Sequence, residues 1–190
     1  MITIVTPNEM ELPFTNKQPI MSIFLAGTID NGDSNDWQTE VINKMQFAYK
    51  GIPGEDTSIG DILVYNPRRR GWKPNATQKD VEEQIRWEQE HLDKADYIFM
   101  YLDDNSKSPI SLLELGLYAQ TAKLIVFCTG NFYRYTNVRM TCDKYEIPLI
   151  CTNDCQKVVN EIKRYYDAER ELHDDLEKLS NNFRRGVKEV

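Results

Sequence analysis

The chain has 190 residues, of which 41% are hydrophobic, and it carries a formal net charge of −7 with a pI near 5.0. This length and composition are typical of one folded domain with a sizeable core. The acidic balance argues against a general affinity for nucleic-acid polymers, because their phosphates repel an acidic surface unless basic residues are segregated into a patch. It does not exclude a free nucleoside or nucleotide.

Several features of the sequence argue against export, membrane insertion and structural metal. No apolar stretch reaches the roughly 18 residues of a membrane-spanning helix, and the N-terminal segment lacks the basic and apolar regions of a secretory signal. The four cysteines form no CxxC pair, and the chain has only two histidines, so a structural zinc site is not expected. We therefore expect a cytoplasmic protein with reduced thiols and no membrane contact.

In chain order, six short runs rich in β-branched and aromatic residues predict strands. They cover residues 2–5, 22–27, 61–67, 96–102, 123–129 and 147–152. Between them, helical spacing occurs in residues 35–50, 78–94 and 111–122. This alternation predicts an α/β fold, because parallel strands need crossover helices. We expect a single doubly wound, mainly parallel five-stranded sheet of the flavodoxin-like type in residues 1–155.

From residue 156 onward the composition changes to that of a charged helix, and we treat residues 156–190 as a long C-terminal helical extension. Its apolar residues recur at spacings of three, four or seven: Val158, Ile162, Tyr165, Leu172, Leu176, Leu179 and Phe183. Such a stripe packs either along the domain or against another subunit, and the sequence leaves both open.

Ligands of an open parallel sheet bind beyond the carboxyl ends of the strands, where the strand order reverses. Four segments follow predicted strands and should converge there: residues 26–38, 66–72, 102–116 and 129–139. In the first, Gly27 and Gly32 form a turn whose N–H groups suit an anion or sugar hydroxyls, with Ser34 or Asp36 capping the next helix. An ordinary strand-to-helix turn is the alternative.

The second segment places three consecutive arginines and Trp72 beside the expected cleft. Arginine suits phosphate or carboxylate recognition, and an indole ring can cover a base or sugar. Arg68, directly after a proline, is the best candidate. Solvated side chains with one surface salt bridge are the alternative for Arg69 and Arg70.

One carboxylate interrupts an apolar helix face. Residues Val81, Ile85, Glu88 and Leu92 share one face at spacings of four, three and four. A carboxylate on such a face must be paired, protonated or used. A salt bridge from Glu88 to Arg68 and a chemical role are both consistent with this pattern.

Glu114 also has two interpretations. Ser111 and Glu114 have the spacing of a helix-capping box. Alternatively, Glu114 lies in a first helical turn at the end of a central strand, where the helix dipole keeps a carboxylate ionised and nucleophilic. Gly116 would then let a backbone or ligand approach closely. Local sequence does not decide between them.

Taken together, these segments resemble the nucleoside 2-deoxyribosyltransferase family and the related nucleotide N-glycosidases over roughly residues 20–152. The resemblance rests on "IFLAGTIDNG", "VYNPRRRGW", "QIRWEQEHLDKADYIFMYL" and "SLLELGLYAQTAKLIVF". The last is similar to the family's E-L-G-x-A segment, whose glutamate is the nucleophile.

The resemblance implies a role for each matching residue. The nucleophile falls on Glu114, and the carboxylate that handles the proton of the base falls near Glu88. The turn that holds the sugar or 5′ group falls on Gly27, Thr28, Asp30 and Gly32. Ser108 stands where the transferases carry an aspartate, and Ile23, Phe24 and Leu25 stand where relatives place a first-strand tyrosine.

The resemblance also implies partners and chemistry. The substrate would be a small nucleoside or nucleotide, and no metal or cofactor would be needed. The chain would be a homo-oligomer with shared active sites, in which Asn131, Tyr133 or Asn137 acts in the neighbouring subunit's pocket. Four functions stay open: a 2-deoxyribosyltransferase, a nucleoside monophosphate N-glycosidase, an inactive nucleotide-sensing or partner-binding protein, and an enzyme that cleaves a dinucleotide such as NAD.

Overall fold

The computed structural model describes residues 2–7, 19–29, 35–48, 62–69 and 76–186, without the side chains of residues 183–186. Among these residues, six strands form one fully parallel sheet. They are β1 (Ile2–Val5), β2 (Met21–Gly27), β3 (Ile62–Tyr65), β4 (Tyr97–Leu102), β5 (Leu124–Cys128) and β6 (Leu149–Ile150). The α/β prediction is confirmed, but the predicted count of five strands was one too few, because β1 pairs with β3 at the edge of the sheet.

Five helices connect or follow the described strands. They are α1 (Trp37–Ala48), α2 (Gln78–Lys94), α3 (Pro109–Tyr118), α4 (Tyr135–Tyr145) and α5 (Cys155–Gly186). The sequence did not predict α4, because its segment is polar and was interpreted as a loop beside the cleft. Only Val138 and Cys142 of α4 are buried, so its apolar stripe is short.

The sheet separates two apolar cores, as a doubly wound fold requires. One core joins its face to α2, α3 and α4 through residues such as Leu92, Leu115 and Val138. The other joins the opposite face to α1 and α5 through residues such as Val41 and Ile162. Strands buried on both faces explain the nearly continuous apolar runs of the sequence.

The strand order is β1-β3-β2-β4-β5-β6. The chain leaves β2 through α1 on one face of the sheet and reaches β4 through α2 on the other face. The order therefore reverses between β2 and β4, and the carboxyl ends of these neighbouring strands open a crevice there.

Candidate active site

A cavity of about 460 Å³ lies at this reversal point. Its wall comes from the ends of β2 and β3, one face of α2 and the start of α3. The lining residues are Phe24, Ala26, Gly27, Ile29, Pro67, Arg68, Arg69, Val81, Gln84, Ile85, Glu88, Ser108, Pro109, Ile110, Ser111 and Glu114. The predicted apolar stripe of α2 thus forms a wall of the cavity, and Glu88 and Glu114 lie in one site.

The turn after β2 is held close to the end of β4. Gly27 has a φ of 133°, and a Cβ atom there would overlap the backbone of Tyr101, so only glycine fits. The N–H group of Thr28 donates to the carbonyl oxygen of Tyr101 at 3.0 Å. The Thr28 hydroxyl accepts from the N–H group of Asp103 at 3.0 Å and contacts the Ser108 hydroxyl at 2.5 Å. These hydrogen bonds hold the turn after β2 against the end of β4 and the residue before α3, and so fix the part of the cavity wall that Gly27 and Ser108 form.

The start of α3 differs from the predicted capping box. Ser108 precedes the helix in a left-handed conformation, with φ 42° and ψ 52°, and its side chain does not cap the helix. It bonds to Thr28 and Ser106 instead. Because Pro109 is the first helical residue, Ser111 lies inside the helix and cannot be its cap. The capping-box interpretation of Glu114 was therefore wrong.

Glu114 lies in the second turn of α3 rather than the first. It is half-buried in the cavity wall. Burial raises its pKa from 4.5 to about 8, and the nearby charge of Glu88 adds to this rise. The expectation that the helix dipole keeps this carboxylate ionised was wrong, because Glu114 lies beyond the first turn and desolvation has the larger effect.

Burial also raises the pKa of Glu88, but a hydrogen bond from Gln84 and the charge of Arg69 oppose that rise. The Gln84 amide nitrogen donates to Glu88 Oε1 at 2.6 Å and to the carbonyl oxygen of Pro67 at 2.9 Å. Glu88 thus has a polar neighbour on its own helix, a basic neighbour after β3 and an acidic neighbour on α3.

Arg68 is bound mainly by residues at the start of α1. Its guanidinium lies 3.1 Å from Asp36 Oδ1, and it donates to Gln38 Oε1 at 3.1 Å and to the carbonyl oxygen of Asn35 at 3.1 Å. Asp36 also accepts from the N–H group of Thr39, as predicted for a cap of this helix. The alternative of an ion pair between Arg68 and Glu88 was wrong, because Arg68 pairs with Asp36.

The remaining predicted site residues divide into two groups. Asn131 and Asn137 are exposed and do not line the cavity of their own chain, so a role in a neighbouring subunit stays a prediction. Asp30, Gly32 and Trp72 lie outside the described residues.

Sequence reasoning missed Gln84 and left Arg69 open between the cleft and the solvated surface. Gln84 precedes Glu88 by four residues, which is the spacing at which helical side chains meet, so the sequence did contain a signal for it. Arg69 carried no such signal, because its position depends on how the chain leaves β3.

Two further observations on the described residues concern metal binding and membranes. His173, Asp174 and Glu177 lie close enough together to share a cation, but all three are exposed on α5, where acidic groups commonly cluster without an ion. Within the described residues, no helix is long and apolar enough to cross a membrane.

Comparison with known proteins supports the expected family. A search of curated proteins found no match. The family described as nucleoside 2-deoxyribosyltransferase like matches residues 20–132. This match begins just before β2 and ends before α4, so it contains every described residue that lines the cavity. Because it covers more than half of the chain, the chain belongs to the nucleoside 2-deoxyribosyltransferase-like family.

Proposed function

We propose that this protein cleaves the N-glycosidic bond of nucleosides or deoxynucleosides and passes the sugar to another base. The observation that carries this proposal is the pair Glu88 and Glu114, which line one largely apolar cavity, where the charge of Glu88 helps to raise the pKa of Glu114. Neighbouring carboxyl groups in such a site disfavour double ionisation, so one proton is shared between them. One carboxylate and one carboxylic acid are the two groups that the reaction needs.

Below about pH 8 Glu114 holds the shared proton, so the first step begins when this proton passes to Glu88. The ionised Glu114 then attacks C1′ of the sugar as the bond to the base nitrogen breaks. The electron pair of that bond goes to the base, and Glu88 donates a proton to it. A covalent glycosyl-glutamate remains on Glu114. In the second step, a nitrogen of another base attacks C1′, its proton goes to Glu88, and the Glu114 carboxylate is released.

The mixed polarity of the cavity suits this sequence of events. Phe24, Ile85 and Ile110 line it on three different elements. A bound nucleoside would cover the exposed side chains of Ile85 and Ile110 and displace water that would otherwise compete for the intermediate. Burial at the same time raises the pKa of Glu88, which favours its role as the proton donor.

A second candidate function is hydrolysis of nucleoside monophosphates, because Arg68 and Arg69 both line the cavity and arginine binds phosphate well. In that case water replaces the second base in the second step. Ser108 in place of an acidic residue removes one negative charge that would oppose a phosphate.

The test is to incubate the purified protein with a panel of nucleosides and nucleoside monophosphates, each with and without a second free base, and to separate the products by chromatography. The transferase proposal predicts a new nucleoside that forms only when the second base is present. Release of free base and sugar phosphate from monophosphates alone would support the hydrolase instead. Tight binding without any turnover would overturn both and indicate a nucleotide-sensing protein.

A further inference from the structure

We propose that Gln84 is a positioning residue that determines which oxygen of Glu88 carries the exchangeable proton. This inference rests on the proposed role of Glu88 as the group that protonates the leaving base. It starts from two hydrogen bonds of one side chain. The Gln84 amide nitrogen donates both to Glu88 Oε1 and to the carbonyl oxygen of Pro67.

The carbonyl oxygen of Pro67 fixes the orientation of the Gln84 amide. An amide group can be turned over, so that its oxygen and nitrogen exchange places. Here that exchange would bring the amide oxygen against the carbonyl oxygen of Pro67, which has no hydrogen to donate. The amide oxygen is itself buried and receives no hydrogen bond from any described residue. It therefore makes no hydrogen bond that would favour the present orientation of the amide. The acceptors of the nitrogen therefore determine the orientation.

A fixed amide nitrogen has a direct consequence for Glu88. Glu88 Oε1 faces an N–H group and acts as an acceptor whether or not the carboxyl group is protonated. A proton on Oε1 would point at the hydrogen atoms of the Gln84 amide and would break this bond. The proton is therefore carried by Oε2, and it is this oxygen that is available for exchange with the base.

The other charged groups near Glu88 do not determine which of its two oxygens carries the proton. Arg69, after β3, stabilises the ionised form of Glu88 through its charge, and the charge of Glu88 in turn raises the pKa of Glu114 on α3. Arg68 also lines the cavity but is bound to Asp36. These groups act on Glu88 through charge, whereas Gln84 bonds to one particular oxygen.

The experiment compares Gln84→Met with the matched control Gln78→Met. Gln78 donates to Glu82 Oε1 at 3.3 Å with the same spacing on the same helix, but on its exposed side. We would titrate the 13C-labelled carboxyl carbon of Glu88 by NMR, which needs no turnover, and measure the pH profile of kcat/KM. Gln84→Asn keeps an amide but shortens its reach, and it serves as a second variant if the methionine variant folds poorly.

Both Gln84 variants should raise the titration midpoint of Glu88 by about one pH unit, because a hydrogen bond to the charged form is lost. The high-pH limb of the kcat/KM profile, where the acid loses its proton, should shift to higher pH by a similar amount. The plateau should fall about tenfold because the proton is no longer held on one oxygen. Gln78→Met should leave the midpoint, the limb and the plateau unchanged.

Failure of this inference and failure of the proposed function are distinguishable. If Glu88→Gln is inactive but Gln84→Met and Gln78→Met give the same Glu88 titration and the same pH profile, the positioning role of Gln84 is overturned and the proposed function stands. If Glu88→Gln keeps full activity, Glu88 is not the acid, and both the acid role and the inference drawn from it are overturned.

Discussion

Glu114 is half-buried in the cavity wall, and its carboxyl group keeps its proton to a higher pH than an exposed glutamate does. A carboxyl group in such a position costs stability unless it is protonated or paired. Among the described residues, the nearby charge that raises its pKa further is that of Glu88. A position that costs stability in this way is a candidate for function.

The first prediction concerns Glu114 as the nucleophile. Glu114→Ala should abolish glycosidic cleavage, because no covalent intermediate can form, and product chromatography should detect it. A 2-fluoro-2-deoxy nucleoside should leave a mass adduct on the peptide that contains Glu114 in the wild type and not in the variant. A folded Glu114→Ala protein that keeps more than roughly a few per cent of wild-type activity would contradict the assignment of Glu114 as the nucleophile.

The second prediction concerns the pH dependence of stability. Folded Glu114 keeps its proton until about pH 8, whereas an ordinary glutamate loses it near 4.5, so the unfolded chain binds fewer protons between these values. The free energy of unfolding should therefore fall as the pH rises through this window. Glu114→Gln, which cannot ionise, should be more stable than the wild type at pH 8 by on the order of 1 to 3 kcal/mol.

This difference should shrink towards about pH 4, where both glutamate and glutamine are neutral. Urea unfolding at several pH values measures it. Glu171→Gln is the matched control, because Glu171 is exposed on α5, and it should show no such trend. A constant difference between Glu114→Gln and the wild type at all pH values would contradict the prediction.

The third prediction concerns Arg68 and the choice of substrate. Its guanidinium is already bound to Asp36, Gln38 and Asn35, so its removal should disturb the junction of α1 and β3. Arg68→Ala should therefore weaken the binding of a nucleoside and of its monophosphate alike. Isothermal titration of both ligands checks this.

If Arg68→Ala weakens the binding of the monophosphate selectively, by about 2 kcal/mol or more, the result would instead show that Arg68 binds the phosphate through two N–H groups of its guanidinium. That outcome would favour the hydrolase. Arg86→Ala is the control, because this arginine is exposed on α2 and pairs with Glu82 of the same helix. It should leave the binding of both ligands unchanged.

At the scale of whole elements, the site depends on how closely β2 and β4 approach each other. Gly27 ends β2 with a positive φ, and a side chain there would overlap the backbone of Tyr101 at the end of β4. Gly116 is different, since an added Cβ atom would have no neighbour within 4 Å. The expectation that another backbone approaches Gly116 was therefore wrong for the described chain.

The fourth prediction compares these two glycines. Gly27→Ala should destabilise the protein by roughly 2 kcal/mol or more, because it combines backbone strain with a steric overlap. Gly116→Ala should stabilise it by about 1 kcal/mol, because alanine favours the helix and nothing blocks its methyl group. Chemical denaturation of both variants measures the change. A neutral Gly27→Ala would show that the end of β2 can move away from β4.

The elements that sequence reasoning found are those with long or strongly apolar patterns. All six apolar runs form strands, although the predicted sheet counted only five of them. The runs of the central strands β2 to β5 are the clearest, because burial on both faces leaves continuous apolar sequence. Helix α4 was missed because it buries only Val138 and Cys142. The predicted start of α3 was wrong because Ser108 bonds to Thr28, which is 80 residues away in the chain and which a local sequence pattern cannot bring to it.

For the candidate site, the sequence indicated the two carboxylates but not how they are arranged. Glu88 interrupts an apolar stripe and Glu114 follows a central strand, so the sequence alone indicates both residues as candidates. Their proximity depends on the order of the strands, and the raised pKa of Glu114 depends on burial that only tertiary structure creates. The suggested pairing of Arg68 with Glu88 was wrong, because the packing of α1 brings Asp36 to the guanidinium of Arg68 instead.

At the scale of the whole molecule, α5 divides into two parts. Val158 and Ile162 are fully buried against the sheet and α1, so the first part of the predicted stripe packs within the chain. The stripe continues beyond this core with Leu172, Leu176 and Leu179, which are 56%, 58% and 65% exposed. Large apolar residues repeated at spacings of four and three form a seam that another helix can cover.

The fifth prediction is that the protein is a homo-oligomer held together in part by this exposed seam of α5. Light scattering should give a mass that is a multiple of 22.2 kDa at working concentration. Replacing Leu176 with lysine should lower that mass towards one chain, because a charge at the centre of the seam is costly to bury. Phe47→Lys is the matched control, since Phe47 is 83% exposed on α1 and lies outside both the seam and α4, whose Asn137 is expected to reach a neighbouring pocket. A wild-type mass of one chain would refute the prediction, and with it the expectation that Asn131 or Asn137 completes a neighbouring pocket. An oligomer that both lysine variants leave intact would show that the subunits meet through another surface.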